Sequence, residues 1–191
     1  MTDVRKVVAR QDIKRTPAEF LGDLKRLVKE TIDQKTRLDP ARLGELLHVV
    51  SKAYAVQPDE VAILAVIQGR FLKFLFPTKL QSIGQIPLTS ATSLAARTAR
   101  ERKPELINHF TTVPHASVFE AVPLYDQRGD PIQKIMSAPL LLDGKSIGVI
   151  QVSRKSKTVA AAGPDFTPQD LRDLVALAGA LAPCIPLFVT D

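Results

Sequence analysis

Residues 132–155, IQKIMSAPLLLDGKSIGVIQVSRK, decide the fold. Two apolar runs flank Asp143-Gly144, a dipeptide that supplies the two positive φ angles of a type I′ turn. The segment reads as a β-hairpin. Side chains along a strand alternate between faces. Met136, Ala138, Leu140 and Leu142 therefore share one face of the first arm, and Gly148, Ile150 and Val152 one face of the second. That face is wholly apolar. The opposite parity mixes Ile135, Ser137, Pro139 and Leu141 with Ile147, Val149, Gln151 and Ser153, which is neither a dry core nor a charged solvent face. One sealed face and one semi-polar face predict helices over the first and a cavity or loop cover over the second.

Upstream, the apolar run 60–67 (EVAILAVI) turns at Gln68-Gly69 into 70–76 (RFLKFLF) and is closed by Pro77, giving a second hairpin. Residues 78–92 read as loop. Ser90 or Thr92 can cap a short helix carrying Leu94, Ala95, Ala96, Thr98 and Ala99, which Lys103-Pro104 stops before a short strand at 105–108. From His109 to Pro131 the pattern is weak, with a helical turn or two near 116–121 and a turn at Arg128-Gly129-Asp130-Pro131.

Three amphipathic helices flank these strands. Thr16-Pro17-Ala18-Glu19 combines an N-cap, a first-position proline and a capping-box glutamate, and Phe20, Leu21, Leu24, Leu27, Val28 and Ile32 follow as one stripe. Asp39-Pro40 starts the second, with Leu43, Leu46, Leu47, Val50 and Tyr54. After a flexible connection over 155–165, Thr167-Pro168-Gln169-Asp170 starts the third, with Leu171, Leu174, Val175, Leu177, Ala178 and Leu181. Pro183 and Pro186 end it near Ala182, and nothing substantial is expected beyond. The first stripe either covers the sheet or forms a seam with a second copy; it is too short for a coiled coil.

The bulk numbers bound the function. A chain of 191 residues, 45% hydrophobic and 24% charged, is one globular domain with an extension. The 26 Lys and Arg against 20 Asp and Glu give a net charge of +6, but the signs are interspersed and Trp is absent, so a solvated basic surface is favoured over a nucleic-acid face. No apolar run approaches the roughly 20 residues that cross a bilayer, and the N-terminal region is too charged for a signal peptide. A cytoplasmic protein without membrane contact is expected. Cys184 is the only cysteine, which excludes an internal disulfide and reads as a buried structural thiol. His48 belongs to a helix, and His109 and His115 read as loop histidines with local hydrogen bonds rather than metal or haem ligands. There is no Walker-type glycine loop, nucleophile elbow, His-Glu-x-x-His or paired carboxylate, so no catalytic residue, metal ligand or cofactor is assigned.

The short helix with Ser93-Leu94-Ala95-Ala96-Arg97, the KPELIN strand at 103–108, Ser137-Ala138-Pro139-Leu140, Gly148-Val149-Ile150-Gln151-Val152 and Phe166-Thr167-Pro168-Gln169-Asp170-Leu171, in this order, resemble the GAF domain family over about residues 40–183. The resemblance implies an α+β fold: a six-stranded antiparallel sheet with N- and C-terminal helices packed on one face and a loop- and helix-covered pocket on the other. It divides the chain into a basic arm with an amphipathic helix at 1–37 and a GAF-like domain at 38–191. It also implies a regulatory sensor of a small molecule, commonly a homodimer through terminal helices. The cyclic-nucleotide members carry an Asn-Lys, Phe, Asp-Glu signature in which Lys and Asp form a structural salt bridge. Lys155, Phe166 and Asp170 match it, while Arg154 and Leu171 stand at the Asn and Glu positions, so the match gives little weight to a cyclic nucleotide. Cys184 is misplaced for bilin attachment, and the sulfoxide reductases of the family rely on several cysteines.

The expectation is thus a non-catalytic module holding a small organic ligand between the mixed face and residues 78–131. Ser137, Gln151 and Ser153 are the polar groups of that face, and Arg97, His109 and Tyr125 are added from the covering segments. The alternative is a structural or interaction module whose vestigial pocket is filled by side chains.

Overall fold

The computed structural model describes residues 15–34, 40–112 and 130–189. The arm before Arg15, the cap residue Asp39, His115, the turns near 116–121, Tyr125 and Arg128-Gly129 lie outside the described residues. Among the described residues there are six strands: β1 Val61–Ile67, β2 Phe71–Phe76, β3 Gln85–Pro87, β4 Glu105–Ile107, β5 Ile132–Leu142 and β6 Lys145–Lys155. They form one antiparallel sheet in the order β3-β2-β1-β6-β5-β4. The two predicted hairpins, β1–β2 and β5–β6, become a single sheet because β1 pairs with β6, from Val61↔Val152 to Ala65↔Gly148.

Asp143 and Gly144 carry φ angles of 50° and 74°, as the two-residue turn requires. On the sealed face Met136 stands opposite Val152, Ala138 opposite Ile150 and Leu140 opposite Gly148; on the mixed face Ser137 stands opposite Gln151. Near the turn the register shifts between Leu140 and Leu141, so Leu141 meets Ser146. The residue skipped is Ile147, and its side chain packs into the helix-side core rather than on the mixed face where strict alternation puts it. β3 lies in the stretch that reads as loop. With three residues it has no measurable period, and it is held by pairing Ile86 with Leu72.

Helices α1 Phe20–Asp33, α2 Pro40–Tyr54 and α4 Pro168–Leu181 share one core with the sealed face, and α3 Leu94–Glu101 lies on the other side. Leu24 of α1, Leu46 and Val50 of α2, Met136 and Ile150 of the sheet, and Leu174 and Leu181 of α4 are fully buried together. The α1 stripe is therefore largely used within the chain, leaving Ile32 39% exposed at its end. The capping box before α1 forms, with Thr16 N–H donating to the Glu19 carboxylate. The cap of α3 is Ser93 rather than Ser90 or Thr92: Ala96 N–H donates to the Ser93 hydroxyl at 3.2 Å, and Ser90 caps the preceding turn by accepting from Ser93 N–H.

α4 ends at Leu181, but the chain does not stop contributing there. It winds on as a 3-10 segment, Ala182–Phe188, burying Ala182, Cys184 and Ile185 in the helix-side core. Prolines without an N–H disrupt the α-helical ladder, while the tighter coil keeps apolar side chains turned inward. Pro168–Phe188 is long and apolar enough to cross a bilayer by length and composition; its inward side is the core just described.

The β1–β6 pairing depends on Gly148. A Cβ there would stand 2.3 Å from the Leu64 carbonyl oxygen, a contact that only backbone movement can relieve. Gly148→Ala is expected to destabilise the protein by about 1–3 kcal/mol. Gly179→Ala, where an added Cβ on α4 meets nothing within 4 Å, is expected to stabilise it by about 0.5–1 kcal/mol. Urea unfolding of the two variants measures both.

Candidate functional site

The mixed face is built from two apolar clusters with a neutral polar group between them. Alanines recur through α3, and their small side chains let the helix backbone lie close to the sheet. Ala95, Ala96 and Ala99 rest on Leu64, Phe74 and Val149. Leu94, at the start of α3, packs instead with Phe110 and Ile135. The approach brings the Thr98 and Ser137 hydroxyls to 2.8 Å, sharing one hydrogen bond. Gln151, opposite Ser137 in the ladder, donates from its side-chain amide to the same Ser137 oxygen at 3.3 Å. All three side chains are buried. A buried hydroxyl or amide without a partner costs about 1–3 kcal/mol, which explains why they converge on one another.

The remaining predicted residues stand apart from this group. Ser153, also buried, donates to the Glu60 carbonyl at 3.1 Å. Arg97 forks onto Glu105, with two hydrogen bonds of 2.7 Å, and that carboxylate raises its pKa further. His109 is exposed beyond β4. Tyr125 lies outside the described residues. The structure thus joins Ser137 to Gln151 with Ser153 two positions along the strand, and gives Arg97 an acidic partner of its own.

Thr98 was not among the predicted polar groups. Its position was legible in part, because it falls one helical turn after Leu94 and three residues after Ala95, on the buried face of α3. Gln133 is a second buried polar group on β5: its amide donates to the Ser156 carbonyl at 2.7 Å and its oxygen accepts from the Thr111 hydroxyl at 3.3 Å.

The chemistry available here is neutral hydrogen bonding between apolar walls. Among the described residues no three His, Cys, Asp or Glu side chains converge to hold a metal ion. The Cys184 thiol is buried, bonds to the Leu181 carbonyl, and is pushed up to about 11 by desolvation, so little thiolate is present at neutral pH. The salt bridge implied by Lys155 and Asp170 does not form. Lys155 donates to the Asp59 carbonyl at 2.8 Å and faces the Asp59 carboxylate, while Asp170 accepts from Thr167 N–H at 2.7 Å as the capping-box partner of Thr167, the N-cap of α4. A carboxylate in the first turn of a helix is already stabilised by orphan N–H groups.

The GAF domain matches the chain over residues 22–185. The structure is similar to the GAF domain of a phosphoenolpyruvate-protein phosphotransferase from Acinetobacter, at 17% identity and a TM-score of 0.58, covering 87% of this chain and 92% of that one. It is similar to the corresponding domain from Coxiella burnetii, at 12% identity and a TM-score of 0.63, covering 88% and 94%. It is also similar to the free methionine-R-sulfoxide reductase of Neisseria meningitidis, solved in complex with its substrate, at 16% identity and a TM-score of 0.60, covering 90% and 89%. At these identities the likeness is one of fold. No curated protein matches the sequence.

Because Ser137 is the hub of the buried polar group, Ser137→Ala leaves Thr98 and Gln151 without their common partner. It is expected to cost about 1–2 kcal/mol in chemical denaturation, although only one oxygen is removed.

Proposed function

The chain belongs to the GAF domain family, and from that premise we propose that it is a non-catalytic regulatory module that binds a small organic ligand on the mixed face of its sheet. The observation that carries the reading is the Thr98–Ser137–Gln151 group set between two apolar clusters. Small-molecule sites combine apolar walls with a few placed polar groups that orient the ligand. A ligand here exchanges its own hydroxyl, carbonyl or amide for the bond between Gln151 and Ser137. Ser153 extends the polar row along β6, Arg97 and His109 are the proposed rim contacts, and Tyr125, outside the described residues, is kept as a candidate from the sequence alone. The non-catalytic reading is supported by the buried, hydrogen-bonded Cys184 thiol, which lacks a second cysteine for redox turnover.

Self-association through the terminal helices is part of the proposal. Ile32 on α1 and Val175 on α4, 39% and 40% exposed, leave apolar surface on the helical layer. A second reading, an interaction module with a filled mixed face, is favoured by the same hydrogen bonds, since Thr98, Ser137 and Gln151 satisfy one another.

A thermal-shift panel of nucleotides, amino acids and other metabolites separates the readings. A ligand at a hundred times its dissociation constant stabilises by about 2.7 kcal/mol, a rise of about 5–10 °C for a protein this size. At least one compound is expected to give it, and Gln151→Ala to abolish it while leaving the fold intact. A panel without any shift, together with a Gln151→Ala variant that changes only stability, leaves the interaction module standing. Light scattering tests the dimer: the expected mass is twice that of one chain and falls to one in Ile32→Glu/Val175→Glu, whereas a monomeric wild-type chain removes self-association.

A further inference from the structure

A β-sheet separates the two layers it carries, but here one segment is bonded to both. β4 is an edge strand, and the chain leaving it rounds that edge. Phe110 is buried on the mixed face with Leu94 and Ile135. Two residues earlier, Asn108 makes a reciprocal amide pair with the backbone of Phe166: its nitrogen donates to the Phe166 carbonyl and its oxygen accepts from the Phe166 N–H, both at 2.9 Å. Phe166 is buried in the helix-side core and immediately precedes Thr167, the N-cap of α4.

Three further contacts converge on the same place. The Lys134 ammonium, almost fully buried, donates to the Gly163 carbonyl at 2.6 Å and the Asp165 carboxylate at 2.7 Å. The Arg154 guanidinium lies 4.6 Å over the Phe166 ring and donates to the Tyr54 carbonyl, and Tyr54 meets that ring edge-on. Gln133, next to Lys134, ties Thr111 to Ser156. The connection between β6 and α4, which reads as flexible, is therefore fastened at Ser156, Gly163, Asp165 and Phe166.

We propose that this junction at the sheet edge couples the mixed face to the seating of α4. Moving Phe110, as a ligand between the apolar clusters would, moves Asn108, because two residues span only about 7 Å of chain. Phe166 then loses both amide bonds together. The release is discrete rather than graded, since Lys134 has a satisfied state with both acceptors in place and a second state only where its ammonium reaches water. The inference gives the ligand-binding reading a route to the helical layer, and it rests on that reading for its biological input.

The test uses no ligand. Amide hydrogen exchange of Phe166, Thr167, Asp170 and Leu171, the hydrogen-bonded N–H groups of residues 166–171, is measured on the full chain at low denaturant, where exchange through local opening does not depend on denaturant and global destabilisation does not contribute. Phe110→Ala is expected to speed exchange there about tenfold, a local opening made easier by one lost packing contact. Asn108→Leu is expected to raise the rates by itself, and Phe110→Ala added to it to change them less than about twofold, the non-additivity of residues acting through one link. Unchanged rates at 166–171 in Phe110→Ala, or effects of the two substitutions that multiply, overturn the coupling. If Phe110→Ala does not fold by circular dichroism, Phe110→Leu is used with the same two outcomes. An empty ligand screen leaves this result standing, and a failure here leaves the ligand reading standing.

Discussion

The pairing of β1 with β6 is the constraint on which the remaining structure depends. Each hairpin is a local object, closed by its own turn, and a two-stranded ribbon alone is marginal in water. Joining them brings Val61 against Val152 across a long stretch of sequence, which carries a loop-closure cost that grows slowly with length. Burial offsets that cost. Val61, Ile63 and Ala65 become continuous with Val152, Ile150 and Met136, and α1, α2 and α4 close over the plate they form. Gly148 sets how closely the two backbones meet, so a side chain added there would strain the seam between the hairpins.

What was legible in the sequence had local chemistry behind it. Asp143-Gly144 names its turn, Thr16 with Glu19 and Thr167 with Asp170 name their caps, and alternation along residues 135–153 separates the faces. The rest turned on non-local facts. β3 is a strand only because β2 offers it a partner. Ile147 changed sides because the ladder skips it, and a bulge carries no signature in the alternation it interrupts. Asp170 satisfied its own helix before Lys155 could claim it, and Asp59, far away in the chain, took the lysine. The 3-10 segment after α4 keeps the core it reaches although its prolines break the helix pattern.

The mixed face shows the same division. That Ser137 and Gln151 interrupt an apolar parity was readable, and it required partners for them, because a buried polar group is costly alone. Which partners they would find was not readable. Thr98 reaches them only because alanines seat α3 close to the sheet. Arg97, one position away on the helix, points to Glu105 and is neutralised there. The protein thus places its charges around the mixed face and keeps uncharged groups on it.

Lys134 inverts that rule at the sheet edge. Its ammonium is almost fully buried while the carboxylate it meets, Asp165, is 60% exposed. Lys134 holds that carboxyl below the usual carboxylate range, through the hydrogen bond first. A buried ion pair is weak evidence of stability, since an apolar side chain of similar volume often holds a structure as well or better. What an apolar residue lacks is a second favourable state. Methionine at position 134 would have no gain in leaving the core, whereas an ammonium that parts from Gly163 and Asp165 recovers hydration on its way out. A charged fastening beside the Asn108–Phe166 pair therefore differs in kind from the neutral group under α3: the first has a hydrated alternative when its contacts part, whereas the second keeps its hydrogen bonds only while α3 lies against the sheet.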